Sequence, residues 1–457
     1  MKEGRIFGTD GIRGRAGEGW LSVPAVTALG CALGDVLGRD PDAARRSKTG
    51  RRPRALLGHD GRRSGRELEA ALARGLASRD FEVTSVGLIT TPGLALLTRL
   101  RGFRIGAMIS ASHNPSEDNG VKVFSEDGEK LSDETEKEIE ALLLREPSNE
   151  IEGPPPAHDP DLESAYFSYL VDKAGAGLRL DGVRIAVDCA NGGGSRVAPR
   201  VLGRLGAVVS AIAAEPDGDN INLRCGATQP AWLQQEVRSQ GAKIGIALDG
   251  DGDRCILVDE AGEIVNGDGI LALLAIHALE KGELPDARIV ATVMSNKGLH
   301  RALREKGIGI VTVDVGDRRV VEALRRHELR LGGEQSGHIV FGPEHFFIGD
   351  GIYTALRVLR VMIETRMPLS KLAGVYRAFP QVLLNVAVAR KPSWAELPDV
   401  DGARKRVEQE LGEDGRVLLR YSGTEPLARV MVEGPDLDRI RSQAQEIADR
   451  IAAEIGA

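Results

Sequence analysis

The sequence predicts an α/β protein built from several domains. Short apolar runs of strand length alternate with helical patterns through most of the chain, which is typical of layered α/β cores. Polar, glycine-rich loops follow several of these runs, and ligands of α/β proteins usually bind at that end of a strand. The chain has 457 residues, which is too long for one hydrophobic core and indicates about three domains by length alone.

The predicted elements follow this alternation in chain order. A helix is expected after Asp133, where Asp133 and Glu136 fit a capping box ahead of apolar residues at helical spacing. Towards the C-terminus the pattern changes to strands separated by helices and ends in a long helix that reaches Ile455, which indicates a small α+β module. The predicted strands are 55–57, 105–109, 183–187, 244–248, 255–258, 308–313, 382–388, 417–419 and 429–432.

Three breaks in the pattern predict domain boundaries. Residues 153–156 (GPPP) form a stiff, extended linker, a tight turn at 259–262 (DEAG) lies beside the second boundary, and a helix ends near 366–368. The basic stretch 41–54 is interpreted as a solvated surface loop, because it is short and has no aromatic residues. The predicted domains are 1–152, 153–257, 258–367 and 368–457.

Bulk composition argues against several classes of partner. The net charge of −7 disfavours binding to nucleic acid or to a membrane surface, so an anionic substrate would need a local cationic pocket. No window reaches the length of a membrane span, and the N-terminus (MKEGRIFGTD) has no apolar signal region. The cysteines form no C-x-x-C pair, which predicts buried reduced thiols, and the expected location is the cytoplasm.

Three aspartates at alternate positions in 249–253 (DGDGD) form the most informative motif. They follow the apolar run 244–248, so we expect them in a loop at the end of a buried strand. Like charges this close repel unless a cation lies among them, and carboxylate oxygens suit Mg²⁺ or Ca²⁺ better than Zn²⁺. The interleaved glycines allow Asp249, Asp251 and Asp253 to face one ion.

Two other interpretations of this motif compete with a metal site. A solvated acidic turn is what Asp and Gly usually form. An EF-hand loop would place Glu260 at its twelfth position, but Arg254 stands where that loop needs glycine, and 255–258 (CILV) continues as a strand. Metal binding is therefore the favoured interpretation.

A second loop, 110–115 (SASHNP), follows the predicted strand 105–109 and contains a serine beside a histidine. Ser112 and His113 have the composition of a nucleophile and its base, but the G-x-S-x-G turn of hydrolases is missing. A turn or capping serine is an equal alternative. One turn later, the chain brings Lys122 back to the same loop.

Three further loops carry groups suited to a phosphorylated sugar. A glutamate and a serine in 333–338 (GEQSGH) offer an acceptor and a donor for adjacent sugar hydroxyls, with a hairpin turn as the alternative. Arginines and hydroxyls around 420–426 (RYSGTEP) suit a phosphate cradle, with an ordinary turn as the alternative. The first loop, 7–14 (FGTDGIRG), places an arginine between glycines that allow a ligand to approach the backbone.

Together these loops resemble the α-D-phosphohexomutase superfamily. The match covers nearly the whole chain, and FGTDGIRG, SASHNP, DGDGDR, GGEQSGH and SGTEP occur in the family's order. The sequence is most similar to the bacterial phosphoglucosamine mutase branch, through DCANG at 188–192, VGDRRV at 315–320 and RYSGTEPLARVMVEG at 420–434. The resemblance implies four domains round a central cleft: phosphoserine-bearing, metal-binding and sugar-recognition domains with related mixed-sheet α/β cores, then a smaller phosphate-binding α+β domain.

The resemblance also implies a role for each matching residue. Ser112 corresponds to the serine that carries the transferable phosphoryl group, and Lys122 to a candidate proton carrier. The implied catalytic residues are Ser112, Arg13, Lys122 and His338. The implied ligands of one Mg²⁺ per site are phosphorylated Ser112, Asp249, Asp251 and Asp253. The implied substrate-binding residues are Arg254, Asp317, Glu334, Ser336, Arg420, Ser422, Gly423, Thr424 and Arg429.

The identity of the sugar is where the sequence departs from the branch. Gly61 stands where the family usually has threonine, 225–230 (CGATQP) differs from CGSTHP at two positions, and 347–351 (FIGDG) replaces TTGDG. These changes leave the chemistry intact and weaken the glucosamine assignment. Asp317 is predicted to pair with the 2-ammonium group of glucosamine, with a buried helix cap as its alternative role.

The implied activity is the interconversion of glucosamine 6-phosphate and glucosamine 1-phosphate. It would proceed through a phosphoserine enzyme and hexosamine 1,6-bisphosphate, and would feed UDP-N-acetylglucosamine and cell-wall synthesis. A phosphoglucomutase/phosphomannomutase with the same mechanism is the first alternative, and a non-enzymatic calcium- or sugar-phosphate-binding protein, which would not need Ser112, is the second. The expected partner is a phosphorylated hexose or hexosamine, without nucleic acid or membrane, and the resemblance implies a homodimer.

Overall fold

The computed structural model describes residues 5–38, 52–145, 151–422 and 425–457. It confirms the α/β class, because three mixed α/β units are followed by a smaller α+β unit. The predicted surface loop 41–54 lies outside the described residues except for its last three. All four cysteines are buried and unpaired, as predicted. In the part of the chain that is described, no helix combines the length and the apolar character needed to cross a bilayer.

The first unit is a six-stranded sheet in the order β1-β5-β4-β2-β3-β6. Its strands are β1 Ile12–Arg15, β2 Arg54–His59, β3 Glu82–Leu88, β4 Ile105–Ile109, β5 Asp118–Ser125 and β6 Ala157–His158. Its helices are α1 Val23–Leu37, α2 Gly65–Ala77, α3 Thr91–Leu100 and α4 Asp133–Leu143. Because β4 and β5 are antiparallel, Lys122 pairs with Met108 and returns to the loop that contains Ser112.

The second unit is a five-stranded sheet in the order β11-β10-β9-β7-β8. Its strands are β7 Arg184–Asp188, β8 Val208–Ile212, β9 Ile244–Leu248, β10 Cys255–Asp259 and β11 Ile264–Val265. Its helices are α5 Pro160–Tyr169, α6 Val197–Arg204 and α7 Ala231–Gln240. Strand β9 is buried along its whole length, as its apolar sequence predicts, and the aspartate loop joins it to antiparallel β10.

The third unit is a four-stranded sheet in the order β13-β12-β14-β15, and the fourth is a three-stranded antiparallel sheet in the order β16-β18-β17. The third contains β12 Arg288–Thr292, β13 Gly309–Val313, β14 Leu331–Gly333, β15 Ile339–Phe341, α8 Gly267–Glu280, α9 Lys297–Arg304, α10 Asp317–Arg326, α11 Gly351–Thr365 and α12 Leu369–Ala373. The fourth contains β16 Gln381–Ala387, β17 Arg416–Tyr421, β18 Leu427–Glu433, α13 Pro398–Leu411 and α14 Leu437–Ile455.

The sheets show that the structural units end at different residues from the domain boundaries predicted from the sequence. Strand β6 lies after residue 152 but pairs with β3 of the first sheet. The predicted boundary between residues 257 and 258 falls inside β10. Strand β10 pairs with β11, so the second sheet continues to Val265. The division at 367/368 precedes α12, which packs against α8 of the third unit. One apolar core runs through the first three units, whereas the fourth unit has a core of its own.

The predicted capping box at the start of α4 is wrong by one residue. The N-cap is Ser132, whose hydroxyl accepts a hydrogen bond from the backbone N–H of Thr135 at 3.2 Å. Glu136 does not form a capping box, and its carboxylate pairs with Arg5 at 2.9 Å and with Arg318 at 2.6 Å. An ion pair with two guanidinium groups therefore replaces the predicted cap.

Candidate active site

Ser112 lies at the centre of the site and is held in a strained backbone conformation. It is 1 % exposed and has a φ of 53°, in the left-handed region that few non-glycine residues adopt. Its carbonyl accepts hydrogen bonds from Arg62 Nη2 and Asn222 Nδ2, each at 2.9 Å. Its hydroxyl donates to Asp249 Oδ2 at 2.7 Å. The predicted serine and the first predicted metal ligand are therefore in contact.

Arg62 holds the loop that contains Ser112 through hydrogen bonds to its backbone. The sequence did not identify Arg62 as a site residue. Its side chain is fully buried, and its Nε donates to Asp60 Oδ2 at 3.0 Å. The same guanidinium donates to the backbone carbonyls of Ser112, Asn114, Pro115 and Asp118. Arg62 thus satisfies the polar backbone of the serine loop in a place where water has no access.

The three predicted metal ligands converge in the structure. Oxygens of Asp249, Asp251 and Asp253 lie within 4.8 Å of one another, and no other group of three or more potential ligands of this kind occurs among the described residues. The Oδ1 atoms of Asp251 and Asp253 are buried and have no hydrogen-bond partner. Such atoms are costly unless something binds them, so the donor set fits a hard divalent cation such as Mg²⁺.

Glycine in this loop is required by close packing against the serine loop. A Cβ atom on Gly250 would lie 2.6 Å from the carbonyl oxygen of Ser112 and 2.8 Å from Asn222 Nδ2. Any side chain at this position would push the two loops apart. Gly252, the second glycine of the loop, has a φ of 71°, which also favours glycine.

Burial and mutual repulsion control protonation within the aspartate cluster. Burial, together with the charges of Asp253 and Asp251, raises the pKa of Asp249 to about 8. Burial would also raise the pKa of Asp253, but Lys122 and His338 outweigh it and hold that pKa far below its usual range. Asp249 and Asp253 therefore differ strongly in their affinity for a proton, and a cation bound among the carboxylates would lower the pKa of Asp249.

Lys122 and His338 are both cations in this environment. Lys122 is 2.9 Å from Asp10 Oδ2, 2.7 Å from Asp251 Oδ2 and 3.3 Å from Asp253 Oδ2. Burial opposes its charge, but these carboxylates raise its pKa well above the ordinary value. His338 Nδ1 lies 3.6 Å from Asp253 Oδ1, and this carboxylate overcomes burial to raise the pKa of His338 to about 9. Both groups hold a proton at neutral pH.

Arg13 and Arg254 present cationic groups to the same region. Arg13 forms an ion pair with Asp10, and the backbone N–H of Arg254 donates to Asp249 Oδ1 at 3.2 Å. The Nε atoms of both guanidinium groups are buried without a hydrogen-bond partner. Phosphate oxygens would satisfy these donors, so the arrangement supports the predicted role of both arginines.

Asp317 lies in the site but already has a cationic partner. Its Oδ2 is 2.5 Å from Lys130 Nζ and 4.0 Å from His338 Nε2, while its Oδ1 accepts a hydrogen bond from the backbone of Arg318 at the start of α10. An ammonium group of a sugar would have to share this carboxylate with Lys130. Lys130 belongs to none of the sequence motifs that predicted the site, and Asp10 was predicted only as a member of the first loop.

Glu334 and Ser336 lie on the loop between β14 and β15. Glu334 is half-buried, and its Oε1 accepts a hydrogen bond from the backbone N–H of Gly316 at 3.1 Å, whereas Ser336 is exposed. Strand β10 begins directly after the aspartate loop. Its first residue, Cys255, donates a backbone hydrogen bond to the carbonyl of Gly337 at 3.0 Å and so joins the two loops. The predicted sugar contacts and the metal ligands are thus on connected loops.

The predicted phosphate cradle is on the fourth unit. Arg420 on β17 lies directly opposite Arg429 on β18, and Ser422 follows at the end of β17. Arg429 contacts Glu425 at 3.3 Å, and its Nε is buried without a partner. Gly423 and Thr424 lie outside the described residues. No hydrogen bond or ion pair in the described ranges joins this cradle to the Ser112 region.

The four units match the domains of one known protein family. Family models for phosphoglucomutase/phosphomannomutase α/β/α domains I, II and III and for the C-terminal domain match residues 4–150, 164–262, 266–379 and 383–450. The chain therefore belongs to the phosphoglucomutase/phosphomannomutase family. The predicted resemblance to the α-D-phosphohexomutase superfamily and the four-domain fold class are confirmed.

Individual relatives narrow the likeness to one branch. The chain is 45% identical over 457 residues to a phosphoglucosamine mutase from Symbiobacterium thermophilum, with 99% of each chain covered. It is 46% identical over 456 residues to a phosphoglucosamine mutase from Rhodococcus opacus, covering 98% of this chain and 100% of the relative. A crystal structure of a phosphoglucomutase/phosphomannomutase family protein from Burkholderia thailandensis has the same fold, with a TM-score of 0.77, 24% identity and full coverage of both chains.

Proposed function

We propose that this protein interconverts glucosamine 6-phosphate and glucosamine 1-phosphate, the activity after which its relatives from S. thermophilum and R. opacus are named. The observation that carries this proposal is the contact between the Ser112 hydroxyl and Asp249 at 2.7 Å, inside a cluster of three carboxylates. A phosphoryl group on Ser112 would lie beside the metal-binding oxygens. The enzyme is an isomerase that acts by moving a phosphoryl group.

Magnesium fits the carboxylate cluster, and the family depends on it. The residues that would hold it are Asp249, Asp251 and Asp253, with a phosphate oxygen on Ser112. When bound, the ion would neutralise charge on the phosphoryl group during its transfer. Arg13 and Arg254, whose Nε atoms are buried without a hydrogen bond among the described residues, would contact the same phosphoryl oxygens.

The reaction requires two transfers at Ser112. In the first, a free hydroxyl of the sugar attacks the phosphoryl group of phosphoserine, the bond from phosphorus to the serine oxygen breaks, and hexosamine 1,6-bisphosphate forms. In the second, the serine hydroxyl attacks the other phosphate and the sugar oxygen leaves. Each transfer moves one proton from the attacking hydroxyl to the leaving oxygen. Lys122 and His338 both hold a proton, so either can donate to the leaving oxygen and then take the proton of the attacking hydroxyl.

The remaining predicted residues would bind the parts of the substrate that do not react. Arg420, Ser422 and Arg429, with Gly423 and Thr424, would bind the distal phosphate, and Glu334 and Ser336 the sugar hydroxyls. Because a bisphosphate presents the same group at each end, one cradle can bind it in both orientations. Two opposed arginines suit this task, since a phosphate dianion is the partner that relieves their repulsion.

The four units would divide this work as the resemblance implies. We propose a phosphoserine-bearing unit, a metal-binding unit that ends after β11, a sugar-recognition unit that includes α12, and a phosphate-binding unit from β16 onwards. A homodimer is proposed as the assembly. Light scattering of the purified protein measures its mass in solution and decides between monomer and dimer.

The test is a side-by-side assay of glucosamine 6-phosphate, glucose 1-phosphate and mannose 1-phosphate. We expect the glucosamine substrate to have the highest kcat/KM, and Ser112→Ala to lower kcat by roughly 10³-fold or more, because the phosphoryl carrier is lost. Ser116→Ala, in the same loop, is the matched control and should keep wild-type activity. Intact-mass and peptide analysis should find phosphate on Ser112. Faster turnover of glucose or mannose phosphate would instead favour a phosphoglucomutase/phosphomannomutase.

A further inference from the structure

Six charged side chains around the site form a closed ring in which anions and cations alternate. Each member contacts the next, and the last contacts the first. The members of this charge ring, in order, are Asp10, Lys122, Asp253, His338, Asp317 and Lys130. The successive distances are 2.9, 3.3, 3.6, 4.0, 2.5 and 2.5 Å.

The charge ring joins three units of the molecule. The first unit supplies Asp10, Lys122 and Lys130, the second supplies Asp253, and the third supplies the other two members. Five of the six members, all except Asp10, line a cavity of about 230 Å³ between the first and third units. Lys130 is one of the lining residues, and its side chain is 19% exposed.

Lys130 is the member whose removal would disturb both proton-holding groups. On one side, Asp10 is contacted by Lys130 at Oδ1 and by Lys122 at Oδ2. On the other, Asp317 is contacted by Lys130 at 2.5 Å and by His338 at 4.0 Å. Without Lys130, each of these carboxylates would attract the next cation along the ring more strongly, because opposite charges interact strongly in a buried site.

The attraction would move Lys122 away from the reacting groups. Lys122 is shared among Asp10, Asp251 and Asp253, so its position depends on how much negative charge each of them presents. Lys130 lowers the net charge of Asp10 and so leaves Lys122 directed at Asp251. In the same way, it leaves His338 free to lie near Asp253.

We propose that Lys130 is a positioning residue of the phosphoryl-transfer site, which holds Lys122 and His338 in place by neutralising Asp10 and Asp317 together. This inference rests on the proposed function. Lys130 itself acts through its neighbours and has no contact with Ser112 or with the aspartates of the metal cluster among the described residues. Its role is distinct from simple docking of the first unit on the third, which other ion pairs also support.

The kinetic test compares two variants that differ in which bridge they remove. Lys130→Met should lower kcat by roughly 10- to 100-fold, with a change in KM of about threefold or less, because displaced catalytic groups cost rate more than binding. Glu129→Gln is the matched control: it removes the exposed bridge from Glu129 to Arg325, which joins the same two units one residue away. It should stay within about twofold of wild type in kcat. Wild-type kcat in Lys130→Met, or an equal loss in Glu129→Gln, overturns the proposal.

Chemical rescue provides a second, independent test. The part of the lysine side chain that Lys130→Ala removes has the structure of a propylammonium ion. The adjoining cavity has room to admit that ion. We expect propylammonium to restore kcat by about tenfold in a saturable manner, and the neutral propan-1-ol to have no effect. Equal rescue by both molecules, or by neither, contradicts a role for the cation. If Lys130→Met does not fold, Lys130→Gln, which keeps a polar side chain without the charge, takes its place in the kinetic test.

A crystal structure of Lys130→Met separates this inference from the proposed function. Lys122 Nζ should leave Asp251 Oδ2, from which it is 2.7 Å away in the wild type, and lie closer to Asp10. If Lys122 keeps its wild-type position in Lys130→Met, the inference is wrong, whichever sugar phosphate the enzyme accepts as substrate. Wild-type protein that isomerises none of the three sugar phosphates contradicts the proposed function, while the position of Lys122 still decides the inference.

Discussion

The two regions that would bind phosphate in this molecule are built in opposite ways. Around Ser112 the charged side chains are buried and compensate one another, as in the contacts of Lys122 with Asp251 and Asp253. In the cradle, Arg420 and Arg429 face each other across two strands, and the side chain of Arg429 is 34% exposed. The first region pairs most of its charges internally, whereas the second sets two arginines against one nearby carboxylate, that of Glu425 at 3.3 Å from Arg429.

This difference matches the task of each region. Phosphoryl transfer needs donors and charges fixed in advance, because reorganising them during the reaction would raise the barrier. The cradle must instead release one phosphate and bind another, which favours an exposed site with little internal pairing. The fourth unit also has its own apolar core and is joined to the third by polar contacts such as Arg304 with Asp414 at 2.6 Å. A movement of the fourth unit would therefore leave the apolar core of the first three units intact.

The largest effect that would sharpen this comparison is expected from removing both arginines of the cradle. Arg420→Met combined with Arg429→Met should raise KM by about 10²-fold or more with a much smaller change in kcat, because each charged hydrogen bond contributes about 1.5 to 3 kcal/mol to binding. Steady-state kinetics with the sugar phosphate measure both constants. KM of the wild type should also rise with salt, since the cradle is exposed.

The control for this variant is Arg441→Met on α14, which removes a surface arginine of the same unit that pairs with Asp438 at 3.2 Å. It should leave KM and kcat unchanged. A collapse of kcat at constant KM in the double variant would mean that the cradle takes part in the transfer itself. The division between a fixed centre and an exchangeable cradle would then be wrong.

A second prediction concerns acid, which should weaken the scaffold of the centre and leave the arginines of the cradle charged. His59 ends β2 beside the serine loop, and its Nδ1 accepts a hydrogen bond from Gly61 N at 3.2 Å. Burial, helped by nearby arginines, lowers its pKa from 6.5 to about 4. As the pH falls, His59 is therefore protonated in the unfolded chain before it is protonated in the folded protein. The stabilisation is present above pH 6.5 and is lost as the pH falls towards 4, by roughly 2 to 3 kcal/mol.

His59→Asn isolates this contribution, because asparagine keeps an acceptor and does not titrate. Denaturant unfolding at pH 7 and at pH 4.5 gives the free energy of unfolding for both proteins. The loss between these pH values should be smaller in the variant than in the wild type. Equal losses would show that other groups whose pKa is lowered in the folded state, such as His300 with a pKa of about 4 because of burial, govern the acid response.

The sequence predicted the parts of the site that lie within single loops. The strands 105–109 and 244–248 are observed at those bounds, and the loops that follow them contain Ser112 and the three aspartates. Local patterns were sufficient because a buried strand followed by glycine and polar residues leaves few alternatives. The likeness of several ordered motifs to one family then supplied the arrangement of the loops round a cleft.

What the sequence did not predict depends on contacts between distant residues. Arg62 supports a loop 50 residues further along the chain, and Asn222 reaches the same carbonyl from 110 residues away. Lys130 gains its importance only because two carboxylates from different units converge on it. The two-residue strands β6 and β11 are too short to show a period, so the ends of the first two sheets were not visible in the sequence.

The smallest effect follows from a buried hydroxyl behind the centre. Tyr166 is fully buried, donates to Asp350 Oδ2 at 2.9 Å and accepts from Thr90 at 3.3 Å. Asp350 caps α11, and the next residue donates from its backbone to Gly252 at 3.0 Å. Tyr166→Phe should lower the free energy of unfolding by about 1 to 2 kcal/mol, because it leaves polar atoms unsatisfied.

The same substitution should distinguish the two phosphate-binding regions. Its hydrogen bonds lead to the aspartate loop and not to the fourth unit, so kcat should fall by a few-fold while KM stays constant. Tyr169→Phe is the matched control and should change kcat less, because the Tyr169 hydroxyl contacts His345 at 3.0 Å and reaches Asp350 only through that ring. A rise in KM for Tyr166→Phe would mean that this buried network also positions the cradle. The two regions would then be coupled through the third unit instead of acting separately.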